Sequence, residues 1–121
     1  MIFGLDQWLK EGVAEYIAHS PADPATTGRV AALRRLGKPP REIIIPPLTE
    51  KSTYGESARL YGYGYLAVTC MASTYGEKPT MTFISQTLRN NKTYDQAARI
   101  AFRQPFNSVN TTCTNYFRRY I

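Results

Sequence analysis

Residues 54–75 read YGESARLYGYGYLAVTCMASTY, and the fold turns on how this stretch is read. Tyr61, Tyr63 and Tyr65 alternate with glycines, a period of two that suits a strand. Tyr54, Ala58, Tyr61, Tyr65, Val68 and Ala72 instead recur at steps of three and four, which suits a long helix. Gly62 and Gly64 each cost a helix about 1 kcal/mol relative to alanine. That penalty is tolerated where another helix or a substrate must come close. The longer pattern prevails, and the stretch is predicted to be helical.

On either side the signals are plainer. Asp6 can cap a helix running to His19, with Leu5, Leu9, Val13, Tyr16 and Ile17 on one face. Ser20-Pro21-Ala22-Asp23-Pro24 stops it, and Thr26 or Thr27 can cap a short basic helix over 29–36 that ends at Gly37. Residues 38–53 hold Pro39, Pro40, Pro46 and Pro47 around Ile43-Ile44-Ile45, so they are expected to be an extended connection. Pro79 fits the first turn of a helix through Asn90 that buries Phe83, Ile84 and Leu88. Thr93 with Gln96 makes a capping box for a helix to Phe102. Asn107 can cap a last helix to Ile121, with Val109, Cys113, Tyr116, Phe117 and Tyr120 inward. The fold class expected is all-α: six helices in one bundle over residues 1–121, joined by the proline-rich connection.

Length and composition agree. A chain of 121 residues allows one domain, and at this size roughly two thirds of the unfolded surface is removed from water. No apolar run approaches the 20 or so residues a membrane span needs, so no membrane partner is expected. Residues 1–8 carry no secretory signature. Fifteen Lys and Arg stand against nine Asp and Glu. Residues 1–60 hold 8 basic and 7 acidic groups, and residues 61–121 hold 7 and 2. The basic second half could meet an acidic polymer, but Arg89, Arg99, Arg103, Arg118 and Arg119 are scattered and no RNA-binding signature accompanies them. Nucleic acid is therefore not the expected partner. Cys70 and Cys113 lie 43 residues apart with no C-x-x-C, which argues against a metal site and leaves two readings: buried thiols, or a disulfide. Sequons at Asn91 and Asn110 tilt the reading towards an exported protein.

Chemistry concentrates in the first helix. Trp8, Glu11, Glu15 and His19 follow steps of three and four and share a stripe. Glu11 and Glu15 at i,i+4 repel each other by a few tenths of a kcal/mol unless a cation lies near. With one histidine in 121 residues, this chain cannot supply a two-histidine metal site.

Gln7-Trp8-Leu9-Lys10-Glu11-Gly12-Val13-Ala14-Glu15-Tyr16 resembles the W-L-x-E-G-x-A-E-Y segment of the gluzincin zinc metallopeptidases, a group within the peptidase MA superfamily that includes thermolysin-like and aminopeptidase families. Tyr54-Gly55-Glu56-Ser57-Ala58, Tyr65-Leu66, Tyr75-Gly76, Phe83-Ile84 and Tyr94-Asp95-Gln96-Ala97 extend the resemblance along the chain. It implies that Glu11 is the third ligand of a catalytic Zn²⁺, completing two histidines on an H-E-x-x-H helix. Glu15, one turn on, would orient a ligand or a substrate amine. Tyr54 would donate a hydrogen bond to the oxyanion of a peptide substrate. This sequence departs from the family in having no H-E-x-x-H. The expectation is thus a fragment of a larger catalytic domain, with the H-E-x-x-H segment upstream as its partner. Alone it would be inactive and bind no zinc. The alternative is a non-catalytic basic helical module for a protein partner or an acidic polymer, with Tyr61, Tyr63 and Tyr65 as a stacking platform.

Overall fold

The contested stretch is a helix. The computed structural model describes residues 4–121, so the absence of a leader signature at residues 1–3 lies outside it. Six α-helices follow one another: α1 (Gln7–His19), α2 (Gly28–Arg34), α3 (Tyr54–Tyr75), α4 (Glu77–Leu88), α5 (Tyr94–Phe102) and α6 (Phe106–Tyr120). A single 3-10 turn, Pro24–Thr26, precedes α2, and there is no strand among the described residues.

Thr53 and Glu56 close a capping box at the start of α3, each side chain accepting the other's backbone N–H. This box fixes where the helix begins. Its glycines are explained by close approach. A Cβ on Gly64 would lie 2.5 Å from the Trp8 carbonyl oxygen, and one on Gly12 would lie 2.7 Å from the Gly64 carbonyl carbon. The backbones of α1 and α3 therefore touch where neither carries a side chain. Two residues before Gly64, and so on the other side of α3, a Cβ on Gly62 would meet the Leu33 side chain of α2 at 2.7 Å. The middle of α3 fills the core, with Leu60, Tyr63, Tyr65, Leu66, Ala67, Val68 and Met71 buried.

That approach rotates α1 away from the expected face. Trp8, Leu9 and Gly12 are buried, whereas Leu5 is 52% and Ile17 64% exposed. A glycine seam cannot be found by searching for large apolar residues. Asp6 holds the N-cap of α1 as expected, but its side chain makes no bond to the helix backbone; the carboxylate instead accepts from the Tyr94 hydroxyl, which in turn accepts from the Trp8 indole N–H at 3.0 Å. Asn107, by contrast, is not the cap of α6. Pro105 holds that position, and the orphan N–H of Phe106 donates to Asp95 of α5 at 3.0 Å. Thr27 and Thr93 cap α2 and α5 as expected.

Residues 38–53 have no regular secondary structure beyond turns, in keeping with their prolines. Ile43 and Ile45 anchor them in the core. Two side chains hold the backbone: Asn110 of α6 accepts from the Ile43 N–H, and Gln7 of α1 accepts from the Leu48 N–H, each at 2.8 Å. Cys70 and Cys113 form a disulfide that ties α3 to α6, which decides between the two readings. Among the described residues, no helix is long and apolar enough to cross a membrane.

Candidate functional site

Gln7, Glu11 and Glu15 stand four residues apart, so one flank of α1 carries all three. Gln7 reaches the proline-rich connection and Glu15 reaches α2. Glu11 lies between them, half-buried. Among the described residues it joins no salt bridge.

Glu15 is differently placed. Its Oε1 accepts from the Nε–H of Arg29, and the His19 Nε2 stands 3.6 Å away. The Arg29 guanidinium in turn lies over the Tyr61 ring, 4.7 Å from its centre. Such a stack holds the planar cation in one orientation and contributes about 0.5–1 kcal/mol. With a cation already on it, Glu15 is poorly suited to bind a substrate ammonium. It positions Arg29 instead.

A groove of about 380 Å³ opens beside this pair, lined by Glu15, His19, Arg29, Tyr54, Ser57 and Ala58. Two residues singled out from the sequence, Glu15 and Tyr54, therefore share one hollow. Glu11 is not among its lining residues and sits one turn back along α1. Tyr54, in the first turn of α3, is 81% exposed, so its hydroxyl is presented to solvent. The groove thus offers hydrogen-bond donors from a guanidinium, a phenol and a serine around an already neutralised carboxylate. That arrangement suits carbonyl or carboxylate oxygens of an extended ligand better than a cation. The sequence singled out Tyr61 as part of a stacking platform but did not pair it with Arg29. Only its membership of a short basic helix marked Arg29 out.

No group of three His, Cys, Asp or Glu able to hold a metal gathers among the described residues. This chain's own side chains do not fit a zinc site unaided, and no reaction step is derived through one. The tyrosine platform is also corrected. Tyr63 and Tyr65 are 0% and 1% exposed, packed against Phe117 and His19, so neither can stack a sugar or a base. Helical periodicity turned them inward where strand periodicity would have presented them together. Comparison of the chain with family models, with curated proteins and with solved structures gives no match.

Proposed function

We propose that this chain is the C-terminal helical part of a gluzincin-like zinc metallopeptidase. Glu11 would be the third zinc ligand, and the two histidines would come from an H-E-x-x-H segment outside these residues. One observation carries the reading: the division of labour within Trp8-Leu9-Lys10-Glu11-Gly12. Trp8, Leu9 and Gly12 are consumed by packing against the bundle. Glu11, a half-buried residue, has a carboxylate with no ion pair among the described residues. A carboxylate so placed has ligand chemistry to offer and no evident structural duty. Arg29 and Tyr54 would then contact the oxygen atoms of a peptide substrate in the adjoining groove, with Glu15 holding Arg29 in place. The basic-module alternative loses its tyrosine platform and is not the better account of α1.

The test starts from the gene. The reading frame upstream of the Met1 codon is read for H-E-x-x-H, the protein so extended is purified, and its zinc content and peptide hydrolysis are measured beside a Glu11→Gln variant. One zinc per chain, with affinity lowered at least tenfold and hydrolysis lost in the variant, supports the reading. An upstream sequence without H-E-x-x-H, or a variant that retains its zinc, overturns it.

A further inference from the structure

The charge asymmetry of the sequence does not survive folding. Four basic residues of the nearly neutral first half, Arg34, Lys38, Arg41 and Arg59, lie along the connection where it passes α3 and α6; Arg35 follows Arg34 in the chain, and Arg118 lies in the last turn of α6 that Arg34 meets. Three contacts fix this placement. Arg34 Nε donates to the carbonyl of Tyr120 at 2.7 Å, which brings the end of α2 to the last turn of α6. Arg59 Nη1 donates to the Lys38 carbonyl at 3.4 Å, and Asn110 Nδ2 to the Arg41 carbonyl at 3.5 Å. The connection after α2 therefore runs from Arg59 of α3 to Asn110 of α6 and carries Lys38 and Arg41 with it.

None of the six joins a salt bridge among the described residues, where Arg29 and Arg99 are paired. Carboxylates are scarce around them. Glu42 is the single acidic residue from Arg34 to Thr49, α6 has none, and Glu56 is bonded to its own N-cap. Arg34, Arg35, Arg41 and Arg118 are exposed, as is Lys38. An unpaired run of one sign of charge is self-repelling, and an anion laid along it relieves that repulsion.

We propose that this face binds a linear anionic polysaccharide. Five of the six cations are guanidinium groups, whose planar fork pairs with carboxylate or sulfate oxygens two at a time. The Cys70–Cys113 disulfide belongs to an oxidising compartment, where acidic glycans are the polyanions at hand. Tyr63, over which Arg59 lies at 5.1 Å, is fully buried, so the ring beneath this cation is closed to bases. The face is separate from the groove beside Glu15, and the inference does not depend on the peptidase reading.

A fluorescent heparin oligosaccharide serves as the probe, titrated at about 50 and 200 mM salt. The chain is compared with the triple variant Arg35→Gln, Lys38→Gln, Arg118→Gln and with Lys78→Gln, Arg89→Gln, Lys92→Gln, which removes the same charge elsewhere. The face triple should lose about tenfold or more in affinity and flatten the salt dependence, while the control triple loses no more than about threefold. Equal losses in the two triples overturn the inference, as does no binding at the lower salt. Tighter binding of a charge-matched single-stranded DNA would also overturn it, assigning the face to nucleic acid.

Discussion

Gly12 and Gly64 set how closely α1 can lie on α3, and so where Glu11 and Glu15 are carried. Alanine at 64 would drive a methyl group to 2.5 Å from the Trp8 carbonyl, a backbone atom that cannot turn aside. Gly64→Ala is expected to lower stability by about 2–3 kcal/mol, the range of overpacked cores. Gly28→Ala, whose Cβ would meet nothing within 4 Å, should stay within about 0.5 kcal/mol. Denaturant midpoints at constant m-value measure both, and a neutral Gly64→Ala would refute the close approach. The two glutamates separate in the same way. Glu15→Gln removes the partner of Arg29 and should cost about 1 kcal/mol, whereas Glu11→Gln, with no ion pair to lose, should leave stability within about 0.5 kcal/mol. A large loss from Glu11→Gln would mean that its carboxylate is there for the fold.

At the level of helices, the disulfide makes one unit of α3 and α6. The 43-residue separation it closes predicts a loss of roughly 3–4 kcal/mol in Cys70→Ala/Cys113→Ala, seen as a lower unfolding midpoint that reducing agent does not shift further. The same level explains what could be read in the sequence. Residues 54–75 were legible because helical spacing ran through the whole stretch and the strand-like alternation only through Tyr61–Tyr65. The capping box at Thr93 was legible because its two partners stand three residues apart in the chain. Asp6 holds the N-cap expected of it but turns its carboxylate to Tyr94, and the cap of α6 falls at Pro105 and not Asn107, with Asp95 serving Phe106. Both deciding partners come from α5, which local sequence does not reveal. In the site, the stripe Trp8–Glu11–Glu15–His19 followed from local geometry, and so did its place on α1. Arg29 over Tyr61 did not, since a short helix and a long one must first be packed before those residues meet.

Across the whole molecule, folding redistributes charge and buries phenols. The Tyr94 and Tyr116 hydroxyls are held above their ordinary titration range, chiefly by burial and then by hydrogen bonds to Asp6 and Tyr120. A raised folded-state value favours the protonated native form. The stability it contributes is fully present below about pH 10 and lost as pH rises through the folded values. Melting temperature should therefore fall from about pH 10 upward, with a shallower decline in Tyr94→Phe. A flat profile there would contradict the buried network. Asp95 works in the opposite sense: Arg99 and the Phe106 N–H lower its value, so its contribution is present at neutral pH and fades on acidification. The proposed peptidase role rests on Glu11 serving as a metal ligand. Its most direct measurement is a crystal structure of the upstream-extended protein with diffraction data collected at the zinc edge. The account predicts an anomalous peak bonded to a Glu11 carboxylate oxygen and to two histidines from outside residues 1–121; a zinc peak away from Glu11, or ligated by Glu15 and His19 instead, would contradict it.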